Sequence, residues 1–179
     1  MERQILISGF GGQGVLLMGR LLAMSGMTEG KQVTWMPAYG PEMRGGSANC
    51  SVVISDEAVG SPQVTEPDDA IIMNLPSLIK FENTVAPGGL LLYNTSLIKT
   101  APAREDIRVY GVPCNEIAQE LGNDRVANMV MMGAYVKLTG LITPDSLIES
   151  LRQKLGAAKE HLVAVNRLAI QAGAAAVGD

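Results

Sequence analysis

The sequence predicts an α/β protein, a single three-layer domain over residues 1–179 with a mostly parallel sheet, a Rossmann-like glycine loop after the first strand and a helical C-terminal part. Three observations carry this. Short apolar runs alternate with turn signals and helical patterns through the N-terminal half. A glycine-rich loop separates the first apolar run from the first helical pattern. From Cys114 onward the pattern turns to helices alone.

Gln4–Ser8 reads as the first strand and residues 15–29 as the first helix, with Leu17, Leu21 and Met24 recurring at spacings of three and four. Gln32–Met36 is the second strand. A strand–helix–strand crossover implies that these two strands run parallel. Residues 37–46, with two prolines and three glycines, read as a loop. Ser47–Ser55 is a third strand, and residues 61–67 are a second loop. Asp69–Asn74 fits a buried parallel strand, with Pro76 placed where a first helical turn tolerates it. Pro87-Gly88-Gly89 is a turn before the buried strand Leu90–Asn94, and Ile107–Val112 is the last strand. The helices are then Asn115–Leu121, Arg125–Leu138, one opened by Thr143-Pro144 and ending near Gly156, and Lys159–Ala176 with Leu162, Val165, Leu168 and Ala169 on one face.

Composition excludes several classes. Of 179 residues, 47% are hydrophobic and 18% charged, so disorder is excluded and a sheet buried on both faces is expected. The net charge of −4, without a basic run, argues against nucleic acid or an anionic membrane as partner. No apolar stretch approaches the roughly 20 residues that span a bilayer. The first residues run straight into a strand pattern, so no leader is expected and a cytoplasmic location is the default. Two cysteines, Cys50 and Cys114, form no CxxC, and His161 is the only histidine. Neither an iron–sulfur cluster nor a zinc site is expected on this chain. Both thiols read as inert and His161 as exposed and silent.

Gly9, Gly11 and Gly14 fit G-x-G-x-x-G in the required strand–loop–helix context. Such a loop brings backbone N–H groups and the positive end of a helix to an anion. A dinucleotide site also wants an acid after the second strand, and Val33-Thr34-Trp35-Met36-Pro37 has none. An anion, a CoA-like phosphate, a partner chain and plain strand–helix packing all stay open as the role of the loop. The segment Tyr39-Gly40-Pro41-Glu42-Met43-Arg44-Gly45-Gly46 follows the second strand, at the carboxyl edge where open α/β sheets bind ligands. Glu42 and Arg44 either form a solvated pair, or Arg44 clamps a carboxylate or phosphate. Asn74 and Asn94 end strands at the same edge, as turn residues or as ligand contacts. Asn128 is a polar residue in an apolar helix and needs partners there. Met129, Met131 and Met132 read as core or interface. No nucleophile–base pair is evident, so no catalytic residue and no metal ligand is assigned.

These residues resemble the gamma subunit of 2-oxoacid:ferredoxin (acceptor) oxidoreductases. The matching pieces are Gly9-Phe10-Gly11-Gly12-Gln13-Gly14, the Tyr39–Gly46 block with Ser47-Ala48-Asn49-Cys50, Asn74-Leu75-Pro76-Ser77, Pro87-Gly88-Gly89, Asn94 and Asn128-Met129-Val130. The Gly45–Cys50 continuation looks most like the 2-oxoglutarate type, while pyruvate, branched-chain and indolepyruvate enzymes have similar gamma parts. The resemblance implies that a 2-oxoacid and CoA give an acyl-CoA and CO2, with the electrons passing to ferredoxin. Thiamine diphosphate and iron–sulfur clusters would sit on other subunits. The implied partners are the thiamine diphosphate-binding and alpha subunits, and ferredoxin through the complex. This chain would be structural and CoA-facing, inactive alone, and able to self-associate when isolated. Its candidate cofactor-binding residues are Gly9, Gly11, Gly12, Gln13, Gly14, Glu42, Arg44 and Asn74. A homo-oligomeric scaffold and a free-standing dinucleotide enzyme are the alternatives.

Overall fold

The computed structural model describes residues 1–38 and 47–178. They form β1 (Glu2–Phe10), α1 (Val15–Thr28), β2 (Gln32–Ala38), β3 (Ser47–Ser55), β4 (Asp69–Ile72), α2 (Leu75–Phe81), β5 (Leu90–Asn94), β6 (Arg108–Val112), α3 (Cys114–Glu120), α4 (Ala127–Thr139), α5 (Pro144–Leu155) and α6 (Val163–Ala176). The strands make one sheet in the order β2-β3-β1-β4-β5-β6. β1, β4, β5 and β6 pair parallel, while β3 pairs antiparallel with both β1 and β2. β1 and β2 therefore run in the same direction, as the crossover requires, but β3 inserts between them.

β1 is longer at both ends than the sequence pattern suggests. β3 pairs with its whole length, from Glu2↔Ser55 to Phe10↔Ser47, which draws Gly9 and Phe10 into the ladder. β2 likewise runs on through Pro37 to Ala38, where a loop was expected. It is the edge strand, where a residue lacking an N–H is tolerated.

Alternate strand residues face two cores. Ile5, Ile7, Val52, Ile54, Ile71, Leu90 and Leu92 pack against α1 and α3–α6. Ala70, Ile72 and Leu91 pack against Leu78 of α2 and the Ile98 and Ile107 loop. α4 is buried at every position from Ala127 to Val136, Met129, Met131 and Met132 included, as expected of a helix apolar all round. α6 lies across it at backbone contact. A Cβ built on Gly173 would overlap the carbonyl oxygen of Val130, and one on Gly133 that of Ile170.

This crossing corrects the expected face of α6. The buried residues are Val163, Ala169, Ile170 and Gly173, and Leu168 is 51% exposed. The glycine contact, rather than the leucine stripe, sets the rotation. α6 also starts later than expected, because Ala157–Leu162 is a 3-10 segment with Lys159 outside helical backbone geometry. α4 starts at Ala127, after a 3-10 turn over Asp124–Val126 that Asn123 caps. In α1, Val15, Met18, Leu21 and Leu22 are buried, whereas Leu17 and Met24 are only half-buried.

At the opposite sheet edge from the glycine loop, Arg3 donates to both oxygens of the fully buried Asp69, at 2.7 Å each. Tyr135 of α4 donates to Asp69 Oδ2 at 2.7 Å. One carboxylate thus ties β1, β4 and the central helix together.

Candidate functional site

The glycine loop joins β1 to α1 at the carboxyl edge of the sheet. Gly12 and Gly14 hold φ of +92° and +76°, a region side chains other than glycine rarely adopt. Gly9 is confined instead by neighbours. A Cβ there would lie 2.8 Å from Met73 Cβ and 2.9 Å from Val15 Cγ2. Gly14 is confined as well, because a Cβ there would overlap the side-chain amide of Asn128. Gln13 fastens the loop from inside. Its Oε1 accepts the Phe10 N–H at 2.6 Å, and its Nε2 donates to the Met73 carbonyl at 3.2 Å.

The strand-end asparagines are caps first. Asn74 is the N-cap of α2, its Oδ1 accepting the Ser77 N–H at 2.9 Å. It is fully buried, and its Nδ2 has no hydrogen-bond partner among the described residues. Asn94 accepts from the backbone N–H of Ser96 and Cys114 at 3.2 Å each and donates to Asn115 Oδ1 at 2.8 Å.

A cavity of about 140 Å3 opens beside the loop, lined by Gly12, Gln13, Asn115, Asp124, Arg125 and Asn128 among others. Among its lining, the Asn128 side chain (7% exposed) and Arg125 are the groups suited to an anion, with Asp124 as the opposing charge. Of the predicted set, Gly12 and Gln13 line this cavity. Gly9 and Gly14 stand behind it as close-packing positions, Gly11 is exposed in the loop, and Asn74 sits under α2. Glu42 and Arg44 lie outside the described residues. Arg125, Asn115 and Asp124 were not foreseen. The turn signal Gly122-Asn123-Asp124 marks a loop there, but nothing in it says that the loop returns to the first strand.

Among the described residues, no group of three or more His, Cys, Asp or Glu side chains is placed to hold a metal, and no helix is long and apolar enough to cross a membrane. Cys50 and Cys114 are both buried and form no disulfide. Burial pushes the Cys50 thiol from its ordinary 9.0 up to about 12, and raises Cys114 and Tyr135 as well. A raised folded-state pKa gives stability that is complete below the unfolded value and lost as pH climbs toward the folded one. Urea melts should therefore show stability falling from about pH 9 upward, by up to about 1.4 kcal/mol per pH unit for each such group. Cys50→Ala should reduce that slope; an unchanged slope would show that Cys50 does not contribute.

Residues 4–176 match the family model described as pyruvate ferredoxin/flavodoxin oxidoreductase. The chain is 44% identical over 176 residues to ketoisovalerate oxidoreductase subunit VorA of Methanothermobacter thermautotrophicus, covering 97% of this chain and 36% of that one. It thus spans about a third of the length of that relative. It is 33% identical to 2-oxoglutarate synthase subunit KorC of Methanocaldococcus jannaschii, covering 93% of this chain and 92% of that one. In structure it is similar to the gamma subunit of a keto/oxoacid ferredoxin oxidoreductase from Geobacter sulfurreducens, with a TM-score of 0.83, 29% identity and 98% of each chain covered. It is also similar to the 2-oxoglutarate:ferredoxin oxidoreductase of Magnetococcus marinus, solved with 2-oxoglutarate, coenzyme A and succinyl-CoA bound. There the TM-score is 0.89 at 26% identity, covering 98% of this chain and 31% of that one.

Proposed function

Because this chain belongs to the pyruvate ferredoxin/flavodoxin oxidoreductase family, we propose that it is the gamma subunit of a heteromeric 2-oxoacid:ferredoxin oxidoreductase in the cytoplasm. The observation that carries this reading is the end-to-end match with free-standing subunits, in sequence with KorC and in fold with the Geobacter gamma subunit. The complex would convert a 2-oxoacid and CoA to acyl-CoA and CO2 and reduce ferredoxin. Thiamine diphosphate and iron–sulfur clusters on the companion subunits would supply the decarboxylation and electron transfer.

The part left to this chain is binding. Gly12 and Gln13 of the loop before α1, the Asn128 side chain and Arg125 line a cavity whose chemistry suits the phosphates of CoA. Glu42 and Arg44 join the proposal on sequence grounds alone. Losing one charge-assisted contact weakens binding by about 2 kcal/mol, or roughly thirtyfold. Arg125→Ala and Arg44→Ala should each raise the KM for CoA by about tenfold or more and leave the KM for the oxoacid unchanged. An unaltered CoA dependence in both variants would place CoA elsewhere.

The Gly45–Cys50 continuation favours 2-oxoglutarate as substrate. The higher identity to VorA favours a branched 2-oxoacid as a second reading. The test is anaerobic purification of the tagged chain from its native cells, followed by CoA-dependent viologen reduction with 2-oxoglutarate, 2-oxoisovalerate and pyruvate in turn. Larger subunits and activity should co-elute, and the best oxoacid names the enzyme. A chain that elutes alone and inactive with every oxoacid would favour the homo-oligomeric scaffold.

A further inference from the structure

Arg3, Lys31, Arg104 and Arg152 are held in ion pairs with carboxylates. Arg20 and Lys154 are exposed, and neither has an ion-pair partner among the described residues. Both line one shallow trough of about 160 Å3, whose floor is apolar: Leu16 and Leu17 of α1 and Trp35 of β2. Trp35 lies under α1 at Gly19, where a Cβ would meet its indole at 3.0 Å. Leu17 is also a wall of a second hollow, of about 230 Å3, lined by Leu155, Leu162 and Arg125. Arg125 in turn lines the glycine-loop cavity. The three hollows therefore adjoin through shared walls and together make up a furrow beside α1, with Arg20 and Lys154 at its β2 end.

We propose that this furrow docks an acidic segment of a companion subunit, with apolar side chains against Leu16, Leu17 and Trp35 and carboxylates at Arg20 and Lys154. The inference rests on the reading of the chain as one subunit of a larger assembly. Charge selects the occupant. In a chain of net charge −4, two exposed cations that lack an ion-pair partner among the described residues and flank an apolar floor suit a negatively charged, apolar-bearing partner. The trough floor offers no ring of donors for a phosphate, which sets it apart from the cavity at its other end. In the VorA relative nearly two thirds of the polypeptide lies outside the matched stretch, so there this unit has a companion on the same chain.

The test uses the co-purified complex. Arg20→Glu with Lys154→Glu should weaken subunit association by about tenfold or more at low salt, where surface charge acts most strongly. Lys80→Glu with Lys99→Glu, on α2 and the loop after β5, should leave it unchanged. In the unmodified complex, a zero-length carbodiimide should couple Lys154 to an Asp or Glu of a companion subunit, located by mass spectrometry. All four positions are exposed, so circular dichroism should show the fold intact. Association unaffected by the Arg20 and Lys154 reversal overturns the proposal. Coupling of Lys154 only to a second copy of this chain overturns it in favour of a homodimer. If the unaltered chain holds no companion at all, the subunit reading itself fails, and the docking proposal with it.

Discussion

Gly173→Ala is expected to lower the thermal midpoint by about 10 °C. The added methyl would overlap the carbonyl oxygen of Val130 and approach its carbonyl carbon to 2.7 Å. Both are main-chain atoms of a helix buried on every side, so no flexible side chain can swing aside. α6 would have to lift off α4 and give up contacts along much of its length. Overpacking of this kind costs about 3 kcal/mol, and a domain of this size loses roughly 2–4 °C per kcal/mol. Gly133→Ala strikes the same crossing from the other helix, at the Ile170 carbonyl, and should cost as much. The two together should cost less than their sum, because a single displacement relieves both. Gly30→Ala is the control. Its φ is +79° but nothing lies within 4 Å, so only the backbone term of about 1–2 kcal/mol applies. Melting followed by circular dichroism decides the matter, and a Gly173→Ala midpoint within 2 °C of the unmodified protein would refute the backbone contact.

The second large effect belongs to Asp69. Asp69→Ala removes the acceptor for two bonds from Arg3 and one from the wholly buried Tyr135 hydroxyl. A half-buried guanidinium and a buried phenol are then left without it, which should destabilise the chain by about 3–5 kcal/mol in urea unfolding. The reverse experiment is equally informative. Replacing all three with apolar residues, as Arg3→Met, Asp69→Leu and Tyr135→Phe, should recover most of that loss, since the cost lies in stranding a charge rather than in lacking a pair. A loss under about 1 kcal/mol for Asp69→Ala would show that the network contributes little.

Residue pattern alone was enough for the local features. The bounds of β3 agree with the structure residue for residue and Thr143 caps the helix it precedes, while Asn74, read as a turn residue or a ligand contact, is the N-cap of α2. Each of these depends on neighbours within a few positions. The strand order does not, because the same run Ser47–Ser55 could lie at an edge or between β1 and β2. Gly133 and Gly173 stand 40 positions apart inside two helical patterns, and only the crossing angle brings them together. Arg3, Asp69 and Tyr135 come from three separate elements. The candidate site divides in the same way. Its glycines announce themselves through the loop they need, whereas Asn115 and Arg125, which follow β6, reach it only because the parallel strands β1, β4, β5 and β6 end at a common edge.

The α4–α6 crossing also dictates an order of events during synthesis. Among the described residues α4 is the most thoroughly enclosed helix, yet α6, which seals it, follows it in the chain beyond α5 and so emerges from the ribosome later. Until α6 clears the exit tunnel, a stretch containing Met129, Val130, Met131 and Met132 has no cover on that side. The sheet and α1 can form as they are translated, but the core closes only afterwards, in one concluding step. A nascent chain stalled before Val163 is accordingly a species for chaperones to hold rather than a smaller folded protein.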